Sequence, residues 1–318
     1  MELFKKISFL MSIISIAALL SSGLTGCGQT EEEIDPNLLT VNIESNSQVK
    51  YNAYKDRTDI GKVVINRGVT EIGEGAFSGC TNLRSVTLPD TLKKVDFCAF
   101  TNCGRLKRVY FYGDINSWLD IYFENGTYTN PLEQADYFYY EIGGTLKQAE
   151  GVITIPDGAT EIKQGAFAGL RYVTEFIMPD SVKKIGANAF EYAYVEKINI
   201  PKNATIGDHA FKNSCIKQIS IGEGVSEIGQ GAFMESAVEY VTLPESVTVI
   251  QNRLFSSCWQ LKKVTIGSKL TKIGEGAFYN CEKLRSIDYG GTAEKWASIP
   301  KGSYNYSLEN VRINYNAN

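Results

Sequence analysis

A phenylalanine returns along this chain at 77, 100, 167, 190, 211, 233, 255 and 278, and apart from one jump of 67 its neighbours lie 21 to 23 residues apart. The surroundings repeat with it. In 71–89, EIGEGAFSGCTNLRSVTLP, an apolar Ile72 stands five residues ahead of Phe77, and a Leu-x-x-Val-x-Leu-Pro pattern follows. A fixed period of this length marks a stacked solenoid, whose coils bury apolar side chains only against their neighbours. A chain of 318 residues would otherwise suggest two domains, but a solenoid lengthens without a single central core.

Within one unit, 264–286, Val264-x-Ile266 alternates as a short strand with one buried face does. Pro or Gly follows the strand in each unit (Pro89, Pro156, Pro179, Pro201, Gly222, Pro244, Gly267), where a residue that ends a ladder is useful. A second apolar pair, Leu270 and Ile273, precedes Ala277-Phe278, which is expected to open a tight helical or 3-10 turn. One ring per coil predicts an aromatic column through the core. The slot two residues before each Phe holds Gly75, Cys98, Gly165, Asn188, His209, Gly231, Arg253 and Gly276, a range that predicts a solvent-facing turn. The slot three residues after it holds Cys80, Cys103, Leu170, Ala193, Ser214, Ser236, Cys258 and Cys281, and is expected to be at least half buried.

The units ATEIKQGAFAG (159–169) and VSEIGQGAFMES (225–236), each flanked by a strand ending in Pro or Gly, resemble BspA-type leucine-rich repeats. The resemblance runs from about Val63 to Tyr315. It implies a β-rich, right-handed leucine-rich-repeat solenoid of about ten coils, with short strands and short helical or 3-10 turns. It also implies a secreted or surface-attached adhesin or binding scaffold without catalysis. The commoner Asn or Cys after Leu-x-x-Leu-x-Leu is missing, so no asparagine ladder is expected.

Residues 1–26 read as an export signal, with Lys5-Lys6, an apolar run from Ile7 to Leu20 and then small residues. That run is short for a membrane span. Leu24-Thr25-Gly26-Cys27 resembles a bacterial lipoprotein box, which implies an acylated Cys27 anchored in the membrane and a protein displayed on the outer side of the envelope. Residues 27–46, polar and carrying Glu31-Glu32-Glu33, are expected to form a flexible tether, with the solenoid over 47–318. A formal charge of −4 argues against nucleic acid, which needs a concentrated basic surface.

The jump of 67 marks an expanded coil at 109–152, with eleven aromatics between Tyr110 and Tyr140 and a hairpin predicted around Gly143-Gly144. Its start, VYFYGDINSW (109–118), matches IDYGGTAEKW (287–296), the start of a C-terminal capping coil over 287–318. Trp118 and Trp296 are expected to be buried, and the tail to close the last open edge.

Chemistry is sparse. The one histidine, His209, sits in the variable slot, and no zinc motif or triad can be built around it. Cys80/Cys103 and Cys258/Cys281 occupy one slot on adjacent coils, within reach of a disulfide, although buried thiols suit the same slot. The Gly-x-Gly pairs at 73/75 and 274/276 open no long helix, and no cofactor is expected. Acids are scattered, so no paired-carboxylate site is supported.

Function then falls to the face made by the aligned strands. Candidate ligand-binding residues there are Arg84, Lys107, Arg108, Tyr110, Lys197, Lys217, Tyr240, Lys262, Lys263 and Arg285, facing a protein or glycan ligand. The leading expectation is adhesion or protein binding, to host matrix or other cells. The alternatives are glycan capture for nutrient uptake, favoured by exposed coplanar aromatics on Trp118 or the Tyr-rich insert, and an envelope scaffold with no host ligand.

Overall fold

The structure, a computed structural model, describes residues 35–44, 47–124 and 129–316; the export segment, Cys27 and most of the expected tether lie outside the described residues. The β-branched and leucine positions do form the long side of each coil. They build a six-stranded sheet from Leu39–Ile43 to the hairpin Tyr137–Ile142/Thr145–Gln148, and an eight-stranded sheet from Gly151–Thr154 to Arg312–Tyr315. Pairing is parallel at the coil repeat, as in Val63↔Val86↔Val109↔Phe138, so the inward residues stack in columns. The exception is the hairpin, whose second strand runs antiparallel to its first. A second side is made of two-residue strands that stack Val49, Ile72, Val95 and Phe123, and later Ile162, Ile185 and Ile206. The stack has about twelve turns, close to the number expected.

The third side departs from the expected helical turn. The slot two before each Phe has φ between 55° and 65° at Gly75, Cys98, Gly165, Asn188, His209, Gly231, Arg253 and Gly276. The slot two after it is also left-handed, at Gly79, Asn102, Gly169, Tyr192, Asn213, Glu235, Ser257 and Asn280. The paired left-handed residues aim the backbone along the stack, and alternate N–H groups on this side reach the next coil. Phe190 donates to Ala210 O at 2.7 Å, Phe211 to Ala232 O at 2.8 Å and Phe255 to Ala277 O at 2.8 Å. Helical pieces are confined, among the described residues, to Ile115–Leu119, Pro131–Glu133, Ala293–Ser298 and Tyr306–Asn310. The slot before the Phe is also less open than expected, because a neighbouring side chain covers each glycine. His209 lies over Gly231, where an added Cβ would meet its ring at 2.8 Å.

The aromatic column runs as predicted within each of two stretches, on either side of the expanded coil. Ring centroids are 5.4 Å apart at Tyr54–Phe77 and Phe77–Phe100, and 5.4 to 5.7 Å from Phe167 through Phe190, Phe211, Phe233 and Phe255 to Phe278. That spacing exceeds the roughly 4.8 Å between hydrogen-bonded strands, so the near-parallel rings are offset rather than eclipsed. Each phenylalanine ring of the column is fully buried and contributes about 1.5–3 kcal/mol. Tyr54 supplies the first ring, which makes the N-terminal cap a variant of the same coil. The tether, however, is shorter than expected. Leu39–Ile43 is already a strand, paired in parallel with Ile60–Ile65, because Leu39, Val41 and Ile43 alternate as a strand edge does.

Candidate binding face

Residues of the long strands that alternate with the core positions form rows along the stack, exposed or half-buried except at Ser85 and Thr87, which are buried. One row in the first sheet runs Lys62, Ser85, Arg108, Tyr137, and the next runs Val64, Thr87, Tyr110, Tyr139. In the second sheet the corresponding rows run Glu175, Lys197, Gln218, Tyr240, Lys263, Ser286 and Asn199, Ser220, Thr242, Thr265, Asp288. These rows follow the pleat, which turns alternate side chains out.

Four of the candidate cations on this face meet an acid one coil away. Lys197 pairs with Glu175 at 2.6 Å and Lys217 with Glu196 at 2.8 Å. Lys262 pairs with Glu239 and Lys263 with Asp288, both at 2.5 Å. The hydrogen bonds with Glu196 and Glu239 raise the pKa of Lys217 and Lys262, and that with Lys262 lowers Glu239. Asn314, then Lys263, lowers Asp288. Such exposed pairs add little stability, but they remove the net charge that the sequence suggests. Arg285 donates instead to the carbonyl of Glu282 at 2.8 Å. Arg84 and Lys107 lie half-buried at the strand edge.

The aromatic part of the face is concentrated where the two sheets meet. Tyr110 stacks on Tyr139 at 4.9 Å, and Tyr137 stacks on Tyr172 across the break at 5.1 Å with planes 3° apart. The Arg108 guanidinium lies 5.9 Å from the Tyr137 ring and Arg171 lies 5.2 Å from the Tyr194 ring. Arg171 also bonds Asp136 at 3.1 Å. The hydrogen bond with Tyr137 raises the Tyr172 phenol above its usual pKa. Tyr172 and Tyr194 are each 50% exposed, and Val152 and Ile177 are exposed nearby on the same sheet. The structure thus groups Arg108 and Tyr110 with these rings. It places Tyr240, under the Lys262 ammonium at 5.6 Å, with Lys262 and Lys263 in a separate group.

The model of the BspA type leucine rich repeat region matches six copies in this chain, over residues 42–135, 149–258 and 183–309. The chain belongs to the BspA-type leucine-rich repeat family. A leucine-rich repeat protein from Bacteroides ovatus is 23% identical over 90% of this chain and 76% of its own, with a TM-score of 0.57, which agrees on the fold. A leucine rich cell surface protein from Faecalibacterium prausnitzii is 21% identical, covering 83% of this chain and 82% of its own, with a TM-score of 0.46. The pneumococcal vaccine antigen PcpA is 16% identical, covering 91% of this chain and 80% of its own, also at 0.46. No curated protein matches the chain.

In this BspA-type stack the other singled-out residues serve the fold. Trp118 is fully buried among Phe111, Phe123 and Phe138, and its Nε1 donates to Ala166 O at 2.8 Å, so its indole is closed to a ligand. Trp296 is buried against Tyr289. The six described cysteines are free thiols. Each of the buried four donates to the carbonyl of the preceding coil's column residue, as Cys103 does to Phe77 O at 3.2 Å and Cys258 to Phe233 O at 2.8 Å. Burial pushes the Cys80 thiol up to about 11 and Cys103 and Cys258 up to about 12. A protonated thiol is therefore a small hydrogen-bonding core residue here; Ser236, in the same slot, donates instead to the carbonyl of its own coil's Phe233 at 2.7 Å. Tyr172, Arg171 and Tyr194 do not follow from the slot pattern. Their signal is an aromatic or arginine just after the buried third slot, at a coil adjoining the expanded one.

Proposed function

We propose that this protein is a non-catalytic lipoprotein of the bacterial envelope, displayed on the outer side, which binds a protein partner through the strand face of its solenoid. Acyl chains on Cys27 hold it to the membrane, and the residues before Leu39 separate the solenoid from the bilayer. The observation that carries the reading is the outward cluster of Arg108, Tyr110, Tyr137, Tyr139, Arg171, Tyr172 and Tyr194. Tyr and Arg dominate the energetics of protein interfaces, since each offers a large flat surface together with hydrogen bonds. Here the rings are stacked in advance, so little side-chain entropy is lost on docking. The neutralised charges elsewhere on the face leave the aromatic cluster as the anchor, with Tyr240 and the lysines around it as a secondary contact. Family membership supports the same reading.

The test is surface plasmon resonance of the full chain against a panel of purified extracellular-matrix proteins. At least one is expected to bind, and the pair Tyr137→Ala and Tyr172→Ala is expected to weaken it at least tenfold. Lys197→Glu should change it little, because that charge is already paired. Equal binding by the tyrosine pair variant, or no binding by any matrix protein, would refute the proposal.

A further inference from the structure

The last coil keeps the backbone of the others but not their packing. Its left-handed slot is filled by Tyr304, at φ 63°, as His209 and Arg253 fill it in earlier coils. Two residues on, where other coils bury their column ring, Tyr306 begins a 3-10 turn and is 59% exposed. The two rings meet edge to face at 6.2 Å. With Trp296, Lys301, Leu308 and Glu309 they enclose an open cavity of about 350 Å³.

The polar groups of this cavity divide into committed and uncommitted ones. Asn305 is committed, accepting from Phe278 N–H and donating to Gly274 O and Gly302 O. Lys301 Nζ lies 5.0 Å from the centre of the Trp296 ring and donates to Trp296 O at 2.8 Å and Ile299 O at 3.0 Å. An ammonium has three N–H groups, so one remains. Among the described residues the Glu309 carboxylate and the Tyr304 and Tyr306 hydroxyls have no protein partner.

We infer that this cavity binds a neutral pyranose sugar residue, independently of the strand-face reading. A cationic ligand would suit Glu309 but would face Lys301, and an anionic one would face the reverse problem. A neutral polyol satisfies both, since hydroxyls donate to the carboxylate and accept from the ammonium. The apolar C–H face of a pyranose suits the free face of a tyrosine ring. The volume holds one residue with room for a linked neighbour to leave through the open side. So small a ligand in an open cavity should bind with roughly millimolar affinity.

The experiment is saturation-transfer NMR on the full chain with the methyl glycosides of glucose, galactose, mannose and N-acetylglucosamine. At least one is expected to receive saturation, strongest at its ring C–H protons. Tyr306→Ala should abolish the transfer, and Glu309→Gln should weaken binding roughly tenfold. Both side chains are exposed, so neither change disturbs the core, and Tyr240→Ala should leave the signal intact. Silence from all four glycosides would overturn the inference. So would undiminished transfer in Tyr306→Ala, or selective binding of N-acetyl-lysinamide hydrochloride in place of the sugars.

Discussion

The regular coils between Ala159 and Ser286 and the expanded coil at 109–152 solve the same problem by different means. A coil must satisfy the backbone groups of the coil on either side. The regular coils do so mainly with backbone, through strand pairs and the left-handed turn ladder, and side chains such as Asn199 fill single gaps. The expanded coil leans more heavily on side chains. Thr129 Oγ1 accepts from Cys98 N–H at 3.2 Å, while Trp118 Nε1 and Asn130 Nδ2 both donate to Ala166 O, at 2.8 and 3.1 Å. Asn130 reaches Gly165 O as well. The hairpin caps one sheet, and the other begins afresh at Gly151. Among the described residues no ring contact joins Phe100 to Phe167, so the column is interrupted here. Where the backbone is its own partner, side chains are free to vary. Where it is not, individual residues become indispensable, and the interrupted sheet gains a surface unlike the rest.

The comparison can be tested by substitutions, monitored by urea unfolding. Phe211→Ala, in the middle of a regular run, should cost about 3–5 kcal/mol, because neighbouring rings at 5.4 and 5.5 Å cannot close the cavity. Gly169→Ala should cost about 3 kcal/mol. It has φ 76°, and an added Cβ would lie 2.4 Å from the Cα of Glu133, a backbone atom of the expanded coil. Gly276→Ala, at φ 57° but with its nearest contacts at 3.7 Å, should cost only about 1 kcal/mol. Similar costs for the two glycines would erase the distinction drawn between the regions. Asn130→Ala should cost about 1–3 kcal/mol, since it removes hydrogen bonds to two buried carbonyls and the cap of Pro131–Glu133.

The smallest effect concerns pH. Cys80, Cys103 and Cys258 have raised folded pKa values, about 11, 12 and 12. Their contribution is complete below the ordinary thiol pKa of roughly 8.5 and is lost as pH rises through the folded values. Between pH 9 and 11 the urea midpoint of the wild type should fall more steeply than that of a variant with Ser at all three positions. Parallel slopes would show that these thiols are not held protonated by the fold.

The period, the column and the inward strand positions were legible because each rests on one residue type recurring in one slot. The turn conformation was masked. A slot that accepts Gly, Cys, Asn, His and Arg looks merely exposed, whereas its common demand is a positive φ on the backbone. The strand at Leu39–Ile43 was hidden behind a polar segment, although its alternation was present. The candidate cations of the face were chosen one coil at a time. Reading them at the coil spacing pairs Glu175 with Lys197, Glu196 with Lys217 and Glu239 with Lys262. The clustering of Tyr137 with Tyr172 depends on how the hairpin ends one sheet, which no local pattern encodes.

Hydrogen exchange of the full chain under native conditions tests most directly whether the expanded coil is the place where the ladder gives way to side chains. Peptides covering 188–257 are expected to be the best protected, with residues 129–151 exchanging at least roughly tenfold faster. Equal protection through 129–151 and 188–257 would contradict the account.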